Sequence, residues 1–159
     1  MTGVKIDGLE VAKNVKQKVS ETVKQLSDQG IQPCLATILV GDNPASQTYV
    51  RNKHKACEEV GITTQDHQPS ADITQEKLNM LIDSLNDDTS VHGILLQLPL
   101  PTGLNEFEAT SRILPEKDVD GLTPHNVGLS SIGKGILNPC TPSGTVSYTH
   151  LTLPTILHV

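Results

Sequence analysis

The stretch from Ser46 to Ile62, SQTYVRNKHKACEEVGI, reads as an amphipathic helix whose apolar stripe holds Tyr49, Val50, Ala56, Cys57 and Val60. Lys53 sits inside that stripe, four residues after Tyr49 and three before Ala56. Residues at these spacings share one helix face. Two roles are open to such a lysine. It can lay its methylene stem along the stripe and keep its ammonium in water. Or it can stand in a partly desolvated cleft, where burial disfavours the charged form, lowers the pKa and lets the amine give and take protons. Tyr49, one turn earlier, would offer a hydroxyl to the same cleft.

Gln97 interrupts the apolar run VHGILLQL (91–98) at its carboxyl end. A buried amide needs partners, or it costs about 1–3 kcal/mol. Either it bonds loop backbone, or it faces a ligand, because open α/β sheets bind ligands beyond the carboxyl ends of their strands. In PEKDVDGLTPHN (115–126), Asp118 and Asp120 alternate around Val119 and point the same way in extended chain. Turn chemistry explains an Asp before Gly. A metal is a thin alternative, since two carboxylates lack a third acid or a histidine beside them. A third reading is a carboxylate that pairs with the N–H groups of a heterocycle. His125 reads as a loop histidine.

The elements that must position these residues follow from periodicity. Asp7 followed by Glu10 suggests a capping box. Val11, Val15, Val19, Val23 and Leu26 then recur at helical spacing up to Gly30. PCLATILVG (33–41) and VHGILLQL (91–98) are short apolar runs bounded by Pro or Gly, hence buried strands. Ser46 is the expected cap of the lysine helix and Gly61 its stop. A weaker strand is expected at Thr64–His67. Leu78, Leu81, Ile82 and Leu85 mark a further helix capped by Thr74, and a short one is expected from Glu106 to Ile113. The stretch 115–144 is rich in Gly, Pro, Asn and Ser and reads mainly as loops. Helices alternating with buried strands imply an α/β fold: a three-layer, largely parallel sheet flanked by helices.

Composition bounds the partners. The chain has 159 residues, 36% hydrophobic and 19% charged, with a net charge of −6. That is enough for one domain with a core. With no Trp and a single Phe, the core must be aliphatic. Neither a basic run nor aromatic interleaving points to nucleic acid, and no apolar run is long enough to span a bilayer. Three scattered cysteines, Cys34, Cys57 and Cys140, fit neither a disulfide framework nor a zinc site and suggest a reducing compartment.

Taken in order, S-x-x-Y-x-x-x-K, GILLQLPLP, PEKDVDG and PCTPSG resemble the bifunctional methylenetetrahydrofolate dehydrogenase/methenyltetrahydrofolate cyclohydrolase family over about residues 1–146. The resemblance implies Lys53 as the catalytic lysine, Tyr49 as its partner, Gln97 as the amide that hydrogen-bonds it, and Asp120 as the carboxylate that holds the pterin ring. It implies that Tyr49, Val50, Arg51, Asn52 and Lys53, together with Leu96, Gln97 and Leu98, line a folate site. The implied reactions are oxidation of 5,10-methylenetetrahydrofolate with NADP and hydrolysis of the methenyl product to 10-formyltetrahydrofolate. A cytoplasmic homodimer of one-carbon metabolism, with no metal, is implied as well.

The resemblance stops just after PCTPSGTV. The Rossmann-type NADP domain of the family, with its G-R-S-x-x-V-G-x-P stretch, has no counterpart here, so no cofactor site is expected within these residues. Between Gly135 and Val159 there is no Asp, Glu, Lys or Arg, and VSYTHLTLPTILHV (146–159) resembles a translated sequencing-library adapter; the alternative reading is a native edge strand. The expected organisation is a catalytic domain over 1–146 followed by a non-native tail over 147–159. The competing expectations are a folate-binding fragment without turnover, and an unrelated α/β interaction module in which Lys53, Gln97 and Asp120 are structural.

Overall fold

The computed structural model describes residues 7–135 and Leu137. Residues 147–159, read above as a tail, lie outside the described residues, as does Cys140. Three parallel strands form the sheet: β1 (Cys34–Ile38), β2 (Thr63–His67) and β3 (Gly93–Leu96), in the order β2-β1-β3. Around them run α1 (Gly8–Asp28), α2 (Pro44–Val60), α3 (Gln75–Asp87), α4 (Glu106–Arg112) and α5 (Pro124–Ser131). Parallel neighbours need crossovers, and α2 and α3 lie in the connections that join β1, β2 and β3 in turn.

Side chains alternate across a strand, so the sheet has two distinct faces. Ala36 and Ile38 of β1 and Ile94 and Leu96 of β3 turn toward α3 and α4. There they join Leu78, Ile82, Leu85, Val91, Ala109 and Ile113 in an aliphatic core. Thr37 turns the other way and meets α2. Helix α1 lies outside α2 and is tied to it by a Lys16–Glu59 ion pair. The expected three-layer α/β arrangement is thus present.

Helix α1 starts where expected: the Asp7 carboxylate accepts from the N–H groups of Leu9 and Glu10. Its stripe is less buried than its periodicity suggests. Only Val23 is buried, while Val11 and Val15 are more than half exposed.

One expectation needs correction and another needs an addition. Ser46 does not cap α2. The helix begins two residues earlier, with Pro44 in the first turn and the Asn43 side chain accepting from Ala45 and Ser46 N–H. Proline fits there because its missing N–H is one of the unpaired four. Ser46 is instead a buried residue within the first turn. The stretch 115–144 is mainly turn and loop as far as it is described, as expected, but it also holds a helix that was not expected. Thr123 caps α5 by accepting from Asn126 N–H, and Pro124 opens the helix.

Beyond β3 the chain returns alongside it. Ile94 bridges Asp118 in parallel, and Ile94 N–H donates to Lys117 O at 2.7 Å. Gly93 permits this close approach: a Cβ there would lie 2.5 Å from Val119 Cγ1. Gly93→Ala is therefore expected to overpack the site and to cost about 1–3 kcal/mol in urea unfolding. A loss below about 0.5 kcal/mol would mean that the 117–120 segment yields instead of pressing on β3.

Candidate active site

Helix α2 carries the lysine. It is held at its start by Asn43 and Pro44, and at its end by Gly61, whose φ of 87° is the left-handed conformation that stops a helix. Val50 and Val60 are buried, Ala56 and Cys57 half-buried, and Lys53 half-buried at the edge of this stripe. Tyr49 departs from the sequence expectation. It is 64% exposed, so its ring lies outside the core and its hydroxyl is free to meet a ligand. Among the described residues, neither Lys53 nor Tyr49 makes a side-chain hydrogen bond or an ion pair.

Gln97 follows β3 directly. Its N–H donates to Ile38 O at 2.9 Å, which continues the ladder one residue past the strand. With Ile94 and Leu96 facing α3 and α4, alternation turns Gln97 toward the α2 side. Its Nε2 donates to Leu98 O at 2.7 Å. That bond fixes which end of the amide is nitrogen, since the reverse would set two carbonyl oxygens together. The Oε1 is buried and has no partner among the described residues. The Lys53–Gln97 hydrogen bond that the resemblance implies is not made in this structure.

Asp120 is half-buried and lines a small recess with Asp118, Ile94, Leu96, Thr110, Ile113 and Leu122. The two aspartates share this recess, as their alternation suggests, but their circumstances differ. Asp118 is 2% exposed. Its Oδ2 accepts from Thr123 N–H at 2.8 Å and from Asn126 Nδ2 at 2.9 Å. Burial alone would push its pKa up; the bonds from Thr123, Asn126 and Leu122 outweigh this and hold it below the usual carboxylate range. Asn126 also donates to Pro115 O. Lys117 sends its ammonium to the carbonyls of Leu85, Asn86 and Asp88 at the end of α3, where a cation is favoured. Asp118, Lys117, Thr123 and Asn126 thus fasten the segment that presents Asp120. Sequence reasoning missed this set. Thr-Pro at 123–124, a helix start, was the available signal.

The block 49–53 does not face one site. Five consecutive helical residues span more than a full turn. Val50 and Arg51 line a separate cavity of about 280 Å³ with Thr37, Leu39, His54 and Asp66, whereas Tyr49, Asn52 and Lys53 do not line it. Leu96 is buried in the core, and Leu98 packs against it. Among the described residues no cluster of three His, Cys, Asp or Glu could hold a metal ion.

A nicotinamide nucleotide does not fit the residues described. The β1–α2 turn is the strand-to-helix turn that most resembles a phosphate cradle, but it offers one glycine, Gly41. The carboxylate of Asp42 follows, and Pro44 removes an N–H from the helix start.

A parallel sheet with helices on both faces is the architecture of the open α/β class. The chain belongs to the tetrahydrofolate dehydrogenase/cyclohydrolase family: residues 6–120 match its catalytic domain. Among curated relatives, the bifunctional protein FolD of Nitrosopumilus maritimus is 64% identical over 146 residues, covering 92% of this chain and 51% of the relative. The FolD methylenetetrahydrofolate dehydrogenase/cyclohydrolase of Campylobacter jejuni superposes with a TM-score of 0.86 at 46% identity, covering 91% of this chain and 51% of that one. The Trypanosoma brucei enzyme, solved with NADP cofactor and an inhibitor, gives a TM-score of 0.88 at 37% identity, covering 99% and 55%. The chain therefore spans about half the length of these relatives.

Proposed function

We propose that this chain is the folate-binding catalytic part of a bifunctional methylenetetrahydrofolate dehydrogenase/methenyltetrahydrofolate cyclohydrolase. The observation that carries the reading is the buried, unpartnered Oε1 of Gln97 on the α2 side of the sheet. An unmet buried acceptor costs about 1–3 kcal/mol. A site that awaits a donor, from a ligand or from Lys53 drawn inward around one, explains why it is kept.

In the hydrolytic step, water adds to the carbon of the methenyl cation and loses a proton. The ring carbon–nitrogen bond then breaks: the departing nitrogen takes a proton while the new hydroxyl gives up its own and becomes the formyl carbonyl, so the 10-formyl product forms with one proton released to water overall. Lys53 moves these protons: as a neutral amine it accepts from the attacking water, and as an ammonium it donates to the leaving nitrogen. A neutral amine also avoids repelling the cationic substrate. Gln97 Oε1 accepts from Lys53 and orients it. The Tyr49 hydroxyl borders the reacting carbon, and Asp120 takes the pterin's ring N–H and amino group in charge-assisted bonds. The nucleotide that accepts hydride in the oxidative step, NADP, binds elsewhere in the longer protein. The same reading places that protein in the cytoplasm as a homodimer serving one-carbon metabolism, including purine and amino-acid biosynthesis. No helix among the described residues is long and apolar enough to cross a membrane.

Calorimetry with 5-formyltetrahydrofolate tests the assignment. Asp120→Ala is expected to weaken binding about ten- to a hundredfold, corresponding to a lost charged hydrogen bond of about 1.5–3 kcal/mol. An affinity within about twofold of the parent chain's would remove Asp120 from the ring contact.

A further inference from the structure

A hydroxyl, an imidazole and a carboxylate meet beneath α2, outside the site described above. His54 Nε2 lies 2.8 Å from Asp66 Oδ1 and 3.0 Å from Thr37 Oγ1, and Thr37 Oγ1 donates to the same Asp66 oxygen at 2.9 Å. The trio suggests an activated nucleophile, but its geometry excludes one. In a nucleophilic triad the carboxylate and the hydroxyl occupy different ring nitrogens. Here both contact Nε2. Thr37 is also 1% exposed and has already given its proton to Asp66. The arrangement closes on itself as a triangle. With the Thr37 proton committed, Nε2 must carry a hydrogen and share it between Asp66 and Thr37.

The place of the triangle gives it consequence. Thr37 sits in the central strand on the face toward α2, Asp66 in the neighbouring strand, and His54 in α2 next to Lys53. Among the described residues these are the only side-chain hydrogen bonds between α2 and the sheet. The residues that α2 buries are Ser46, Val50 and Val60, and hydrophobic burial by itself has no preferred direction. Burial sets which face of α2 turns inward, and the triangle adds bonds of fixed length and direction to the sheet. A roll of about 20° carries a group about 5 Å from a helix axis by roughly 2 Å. Misplacing a catalytic group by about 1 Å can cost on the order of a hundredfold. Lys53, about 100° around the helix from His54, moves with any such roll.

We propose that the Thr37–His54–Asp66 triangle sets the roll of α2, and that His54 is a positioning residue for Lys53 opposite Gln97. This rests on the folate reading of the Lys53–Gln97 site. The test uses the 159-residue chain with its lysines and glutamines isotope-labelled, titrated with 5-formyltetrahydrofolate and followed by NMR. In the unaltered chain the ligand is expected to shift both the Lys53 ε-methylene and the Gln97 side-chain amide signals. In His54→Phe, which keeps a ring but loses the N–H, the Gln97 signal is expected to respond as before and the Lys53 response to fall at least fourfold. His54→Gln, which returns an N–H at similar reach, is expected to restore at least half of it. A merely structural role would lower both responses together and would not separate them. If His54→Phe fails to fold, Asp66→Ala, at a side chain 58% exposed, is expected to reduce the Lys53 response at least twofold. An unchanged Lys53 response in whichever variant folds overturns the positioning role alone. No response at either signal in the unaltered chain overturns the folate reading, and the positioning role with it.

Discussion

Replacing Lys53 with methionine is expected to lower methenyltetrahydrofolate hydrolysis by at least about a hundredfold while the fold persists. The measurement suits a chimera in which residues 1–146 replace the matching part of the Nitrosopumilus maritimus relative, which they match at 64% identity. A positioned proton-transfer group contributes about 10²–10⁴-fold, or roughly 3–5 kcal/mol of barrier. Methionine keeps most of the apolar stem of a lysine, so packing changes little. Lys53 is half-buried and makes no ion pair among the described residues, so its loss strands no partner charge. Stability measured by urea unfolding is expected to stay within about 0.5 kcal/mol. Hydrolysis within fivefold of the unaltered chimera would show that another group moves the protons. A folded, inactive variant with normal folate affinity would instead place the whole effect on the chemical step.

What the sequence discloses about this site depends on how local each signal is. Lys53 in an apolar stripe and Gln97 in an apolar run are anomalies against a period; helix α2 forms around Lys53, though it starts earlier than expected, and β3 ends one residue before Gln97. Strands β1 and β3 are legible because they are almost entirely buried, mostly apolar runs, and α3 because Thr74 and its spaced leucines are all in one window. Asp118 is a different matter. Its partners Thr123 and Asn126 lie five and eight residues on, and only the fold of the loop shows that one aspartate is structural and the other is left free. The exposure of Tyr49 is likewise invisible to a helical wheel, which assigns a face but not its width. The Thr37–His54–Asp66 triangle joins three elements, and no pattern along the chain predicts a contact of that kind. Helix α5 was hidden for another reason: its Gly, Asn and Ser content reads as loop, whereas packing and the Thr123 cap make it a helix.

Asp118→Ala is expected to destabilise the domain by about 3 kcal/mol or more, the largest loss of stability among the changes considered. The carboxylate is 2% exposed, and its removal leaves two buried donors, Thr123 N–H and Asn126 Nδ2, without their acceptor. Each unmet donor costs about 1–3 kcal/mol. For a domain of this size that corresponds to a fall in Tm of roughly 10 °C. Asp118→Asn separates charge from shape. It keeps one acceptor oxygen but sets an amide nitrogen toward Asn126, so an intermediate loss is expected. The pH dependence has a definite sign. The folded pKa of Asp118 lies below the usual value, so its stabilising contribution is fully present above the unfolded value, about 3.9. It is lost as pH falls through the lowered folded value. The gap between the unaltered chain and Asp118→Asn should therefore be wide at neutral pH, start to narrow as pH falls through about 3.9, and close only below the lowered folded value, where both side chains are neutral. Because the same bonds hold the turn that carries Asp120, Asp118→Asn should also weaken 5-formyltetrahydrofolate binding at pH 7. A variant that loses stability but binds folate as the unaltered chain does would show that Asp120 keeps its place without this anchor.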